Sequence, residues 1–216
     1  MKDIGILLLG LLVFQTSWGQ SKICGCPDDK SIIESPANCK IVSLQNGSKL
    51  YYQFNCDSVW LTLENNKGLK KIIYSMTGEM FRELYGINYR IGYQLAKEYN
   101  KYLLFRTGCP ANGRCNFVVI NKLNGKKVLE LGELIYDHST NKFYPFVIYF
   151  ANHDNPRQIV IHYLDTAKKY VFSVSSISIE GNFPEYEFDE VSVKNNRLIL
   201  RKNKKVIAIN ILKYHS

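Results

Sequence analysis

Between Ile91 and Leu131 the chain passes through four short β-type segments joined by three tight turns, and that grammar restricts what it can fold into. Gln94-Leu95-Ala96-Lys97 alternates polar and apolar residues, the period of a half-buried strand. Tyr102-Leu103-Leu104-Phe105 and Phe117-Val118-Val119-Ile120 are continuous apolar runs of strand length, which suit strands covered on both faces. Asn124-Gly125 supplies a hairpin turn, because glycine reaches positive φ without a Cβ penalty. Lys126-Lys127-Val128-Leu129 then opens the fourth segment. The unit is an antiparallel meander.

The same pattern recurs on both sides. Before it, Lys40 to Leu44, the turn Asn46-Gly47 and Leu50 to Phe54 form a hairpin, followed by Val59 to Leu63, a turn at Asn65-Asn66-Lys67-Gly68, and Lys71 to Tyr74. After it, Glu133 to Tyr136 opens a third set, continued by Phe146 to Phe150, Ile159 to Leu164 and Tyr170 to Val174. Glu190 to Lys194, Leu198 to Arg201 and Val206 to Leu212 form a fourth set, with turns at Asn195-Asn196 and Asn203-Lys204. Second strands therefore begin near Leu50, Tyr102, Phe146 and Leu198. A four-stranded repeat of about 40 to 50 residues is the spacing of propeller blades. The expectation is an all-β domain over residues 40–216 with blade-like units at 40–76, 91–132, 133–174 and 188–212. A sandwich or open barrel is the alternative arrangement of the same strands. Thr77 to Tyr85, with Thr77 as cap and Gly86 as stop, is the only helix expected.

Residues 1–19 have the form of a signal peptide. Lys2 precedes an apolar core from Ile4 to Phe14, too short for a spanning helix, and Ser17-Trp18-Gly19 predicts cleavage before Gln20. Residues 20–39 are a cysteine-rich N-terminal segment. No later segment is apolar enough to cross a membrane as a helix. Lipidation near Cys24 or Cys26 is the lesser alternative, because Gln15 to Lys22 interrupts the apolar run first. Export, to a periplasm or the exterior, is the expectation.

All six cysteines, Cys24, Cys26, Cys39, Cys56, Cys109 and Cys115, follow that cleavage site, and an even number in an exported chain predicts disulfides. Cys109 and Cys115 flank a Pro-Ala-Asn-Gly-Arg loop that a local bridge would pin. Cys24 and Cys26 sit too close to bridge each other, so each is expected to pair with Cys39 or Cys56. The spacing of Cys24, Cys26 and Cys39 departs from zinc motifs, and no metal is assigned.

Catalytic signatures are absent. His138, His153, His162 and His215 show no metal-ligand spacing, and there is neither a Gly-x-Ser-x-Gly elbow nor a phosphate loop, so no catalytic residue or cofactor is assigned. Asp137, Asp154, Glu185, Glu187 and Asp189 are the acids from which a carboxylate pair for glycan hydrolysis would have to come.

Charge carries more. The net charge is +9, and lysines gather at turns read as joining third and fourth strands: Lys70 and Lys71, Lys126 and Lys127, Lys168 and Lys169, Lys204 and Lys205. If the units are blades, these eight share one end. The second-to-third-strand loops, with Arg106, Asn112, Arg114, His153 and Arg157, then form the other, where a partner is expected. Connections between units carry Glu133, Glu180 and Glu187 towards that same end. The function expected is a non-catalytic exported binding protein meeting a protein partner or an anionic glycan or envelope surface. Nucleic acid is an unsuitable partner in that compartment. The alternative is a small envelope glycan hydrolase.

Overall fold

The computed structural model describes residues 39–78, 92–108, 114–135 and 145–215, and these form an all-β array of four separate antiparallel sheets. The first sheet orders β1 (Val42–Ser43), β2 (Lys49–Phe54), β3 (Ser58–Glu64) and β4 (Lys70–Thr77) as a simple meander. The second does the same with β5 (Gln94–Glu98), β6 (Tyr102–Thr107), β7 (Asn116–Asn121) and β8 (Lys127–Leu131). Three strands make the third sheet, β9 (Phe146–Phe150), β10 (Gln158–Tyr163) and β11 (Lys169–Ser173). Three more make the fourth, β12 (Glu190–Lys194), β13 (Arg197–Lys202) and β14 (Lys205–Asn210).

The sheets stack in chain order, and the apolar patterning explains why. Successive strand side chains point to opposite faces. Leu103, Phe105, Val118 and Ile120 pack on Leu50, Leu61 and Leu63 of the first sheet. Their neighbours Leu104, Phe117 and Val119 face the other way, onto Val147 and Leu164 of the third-sheet unit. Ile148, Ile159, Ile161 and Tyr163 then meet Leu198, Leu200 and Ile209 of the fourth. Continuous apolar runs thus mark the two middle sheets, which are covered on both faces. In the outermost strand β14, Lys-Val-Ile-Ala-Ile-Asn, only Ile207 and Ile209 turn inward while Val206 and Ala208 are exposed, since one face of its sheet is open. Full burial of a side chain such as Phe105 stabilises by about 1.5–3 kcal/mol.

The turns follow their residues. Gly125 has φ +62° and donates to Asn121 O at 2.8 Å, and a Cβ there would lie 2.9 Å from Lys71 Cδ. That turn is pressed against β4, so glycine serves both conformation and packing. Asn195 and Asn196 take φ 48° and 60°, the left-handed pair that closes a two-residue hairpin.

Two expectations are corrected. Glu133 to Ile135 do not open a third-sheet strand: they lie outside any strand, Ile135 N donating to Ile148 O at 2.9 Å in its place, and Tyr136 lies outside the described residues. Ile211 and Leu212 do not extend the last strand but begin α1 (Ile211–His215), because Asn210 Oδ1 accepts Leu212 N at 3.0 Å and Lys213 N at 3.3 Å as a cap. Thr77 ends β4 and a helix begins directly after it at Gly78, where the expected helix was to start; the remaining residues of that helix fall within 79–91, outside the described residues. The signal segment also lies outside them. None of the described helices is long and apolar enough to cross a membrane.

Candidate binding site at the loop end

Three segments from different parts of the array meet at one end. The β9–β10 loop is shaped by Asn152, whose Oδ1 accepts Asp154 N at 3.0 Å and Asn155 N at 3.2 Å. The connection from β11 to β12 contains a 3-10 helix at Pro184–Tyr186, opened by a proline whose fixed φ suits a first turn. The third segment is the start of β7 with Arg114 and Cys115, joined by Glu133 just after β8.

Two buried glutamates hold these segments together. Glu133 is 7% exposed, and its Oε2 accepts Cys115 N at 2.6 Å while Oε1 accepts Leu134 N at 3.4 Å. Burial pushes its carboxyl above the ordinary range, against the lowering influence of hydrogen bonds from Cys115, Tyr186 and Leu134, and the Glu185 charge pushes it further up. Glu185 is 3% exposed and shares a 2.5 Å hydrogen bond with His153 Nδ1. Burial raises its carboxyl too, opposed by a backbone hydrogen bond and by the Arg114 charge. Among the described residues, Glu185 Oε2 and His153 Nε2 find no hydrogen-bond partner. Arg114 Nη2 donates to Asn182 O at 3.0 Å, tying β7 to the 3-10 connection. Around this buried centre lie exposed Arg114 and Arg157, with Phe183 at 38% and Tyr186 at 65% exposure.

The expected binding residues divide. Arg114 and His153 both join the 3-10 connection, as described. Arg157 is exposed in the β9–β10 loop and its carbonyl accepts Val174 N at 2.8 Å. Arg106 lies on β6 and donates to Gln94 Oε1 at 2.9 Å within its own sheet. Asn112 and Asp137 lie outside the described residues. Of the other candidate acids, Glu187 pairs with Lys202, Asp189 Oδ2 accepts Asn203 N at 2.5 Å, and Asp154 is exposed. Sequence patterning marked Glu133 as a strand start and a linker charge and missed Phe183 and Tyr186, because their roles depend on which loops meet.

The lysine turns require a correction. Lys71 lies beside Gly125, so the β3–β4 and β7–β8 turns are neighbours. Lys122 N donates to Lys101 O and Tyr99 OH to Phe146 O, which brings the β5–β6 turn and the start of β9 to the same end. Phe146 pairs with Tyr163, where the β10–β11 turn begins. Thus Lys70, Lys71, Lys126, Lys127, Lys168 and Lys169 gather at one end, all exposed. Lys204 and Lys205 do not. Tyr163 OH donates to Ile211 O at 2.6 Å and Ile211 N to Asn196 O at 2.9 Å, so the β12–β13 turn is the one at the lysine end. The β13–β14 turn lies a strand length away, where Phe150 stacks on Phe188. Among the described residues the fourth sheet has no strand beyond β14, and its last turn is equivalent to a second-to-third-strand loop.

Cys39, Cys56 and Cys115 are disulfide-bonded, and no described cysteine is free. The other three cysteines lie outside the described residues. His162 is buried beside Tyr149, and burial, aided by the Lys169 charge, holds its imidazole below the usual range. Among the described residues no three His, Cys, Asp or Glu side chains are grouped to hold a metal ion.

No family model matches the chain, and no curated protein matches it. Among solved structures it is similar to an uncharacterized protein, lmo1340 of Listeria monocytogenes EGD-e, at 12% identity and a TM-score of 0.32. That similarity covers 82% of this chain and 52% of the other, so the chain spans about half the length of that protein.

Proposed function

We propose that the chain is an exported, non-catalytic binding protein whose loop end presents Arg114, Arg157, Phe183 and Tyr186 to a partner protein. The observation that carries this is the pair of buried glutamates, Glu133 and Glu185, which brace three segments into one platform under exposed arginine and aromatic side chains. Arginine and aromatic residues dominate binding energy at protein interfaces, and a braced loop loses little entropy on binding. Export is supported by the short apolar N-terminal core and by disulfide-bonded cysteines, which persist in oxidising compartments. A Cys109–Cys115 bridge and pairing of Cys24 and Cys26 with Cys39 and Cys56 complete the proposal. The six lysines at the opposite end suit an anionic glycan or envelope surface.

The test is capture of a partner from the envelope fraction by the immobilised mature protein. The Phe183→Ser, Tyr186→Ala double variant should lose that partner, and equal capture by the variant would refute the platform. A second reading, hydrolysis of an envelope glycan, draws on the same two glutamates, because burial raises both as a general acid requires. Against it, Glu133 already accepts two backbone N–H groups and the Tyr186 hydroxyl. Release of reducing ends from envelope glycan, abolished by Glu185→Gln, would establish the hydrolase instead.

A further inference from the structure

Among the described residues, the fourth sheet has an unfilled strand position. Its β13–β14 turn lies at the loop end, so β14 is equivalent to β3, β7 and β10, and each of those carries another strand on its far side: β4, β8 and β11. Among the described residues β14 carries none and ends its sheet. Exposed edges are normally blunted by bulges, prolines or inward charges. β14 pairs with β13 over six residues without a register shift, contains no proline, and has Lys205 as its only charge. By contrast, the β3–β4 and β7–β8 pairings both contain an irregularity.

On the open face of the same sheet, over β12 and β13 with Val206 of β14 at its margin, lies a groove of about 530 Å³. Ile199 and Val206 give it aliphatic surface, and its cations are Lys194, Arg197 and Arg201 against the single carboxylate Glu190. Glu190 accepts Lys194 at 2.7 Å and lies 3.1 Å from Arg201, leaving Arg197 with no ion pair among the described residues. No aromatic ring lines the groove to stack on a sugar.

We propose that β14 receives an extended acidic peptide segment of a partner protein as the missing fourth strand. Its backbone takes up the free N–H and C=O groups of β14, the mode of β-strand addition. Alternate side chains then point to the open face, where acidic ones meet the surplus charge of Arg197 and its neighbours, while the others extend the apolar face of Ile207 and Ile209. A peptide backbone, unlike a glycan, matches the edge as well as the charge. This surface is separate from the platform of Phe183 and Tyr186.

The probe is a blocked, fluorescein-labelled nonapeptide alternating valine and glutamate, titrated by anisotropy into the oxidised mature chain, with amide exchange followed over Lys205–Asn210. Binding should slow exchange in β14, weaken with salt, and fall about tenfold or more in Arg197→Glu, a change on an exposed residue without an ion pair. Ala208→Pro, which puts a proline in the edge strand, should lose the protection while a neutral surface change such as Ser176→Ala should not. Equal binding of the valine–lysine counterpart overturns the proposal. So does an oligouronate that binds as tightly as the peptide without protecting β14. Slow exchange, in the free chain, of the β14 amides that point away from β13, whether from a segment of the same chain or from concentration-dependent self-association, overturns it as well.

Discussion

Replacing Glu133 tests whether the loop end is braced from inside. In Glu133→Ala, the buried Cys115 N–H loses its 2.6 Å acceptor and Leu134 N–H loses a longer one, at a residue only 7% exposed. A hydrogen bond to a charged group contributes about 1.5–3 kcal/mol. The Cys115 bond supplies most of that, and the 3.4 Å bond and the exposed Tyr186 hydroxyl add little, so the expected loss is about 2–4 kcal/mol. Glu133→Gln keeps one acceptor for Cys115 and removes a buried charge, so its cost should be about 1 kcal/mol or less. The pH dependence separates the two effects. The folded state raises the Glu133 carboxyl, so it holds the proton more tightly than the unfolded chain does. Its contribution is therefore most favourable below the ordinary carboxylate range and is lost as pH climbs from there through the raised value. Urea unfolding of the oxidised protein, followed from pH 4 to pH 7, reads both quantities. The stability difference between Glu133→Gln and the parent should shift in favour of glutamine as pH rises. Glu133→Ala within about 0.5 kcal/mol of the parent, or glutamine worse than alanine, would refute the brace.

Further outcomes follow from the same contacts. Phe105→Ala, at a side chain fully buried between the first and second sheets, should cost about 3–5 kcal/mol in urea unfolding. Gly125→Val should destabilise by at least about 2 kcal/mol in the same assay, since its φ of +62° and the Lys71 side chain both oppose a branched residue. Non-reducing peptide mapping should recover a Cys109–Cys115 bridge, and N-terminal sequencing of exported protein should begin at or near Gln20. Reversing Lys71, Lys127 and Lys169 to glutamate should weaken binding to anionic vesicles and flatten its salt dependence, whereas reversing Lys205 at the other end should change it little.

Much of the fold was legible because its determinants are local. Asn124-Gly125 and Asn195-Asn196 specify positive φ whatever surrounds them, and uninterrupted apolar runs at Leu103–Phe105 and Phe117–Ile120 require cover on both faces. The missing strands were less visible. Glu133 to Tyr136 has strand-like composition, yet Glu133 is drawn into a buried hydrogen bond with Cys115, a partner no local pattern announces. Lys204 and Lys205 look like the other lysine pairs, but they lie at the opposite end because the described last sheet has three strands and its final turn is a second-to-third-strand loop. The candidate site was half legible. Arg114 and His153 stand in the expected loops, whereas Glu133, Phe183 and Tyr186 gain their roles only when the β7 start, the β9–β10 loop and the 3-10 helix converge.

Site-specific photo-crosslinking in cells that produce the protein tests the binding platform most directly. With a benzophenone side chain in place of Tyr186, a single protein should be captured and identified by mass spectrometry, and the capture should be lost when Glu133→Ala is added. The same side chain in place of Lys71, at the lysine end, should not capture it. Capture of that protein from position 71 and not from position 186 would contradict the account.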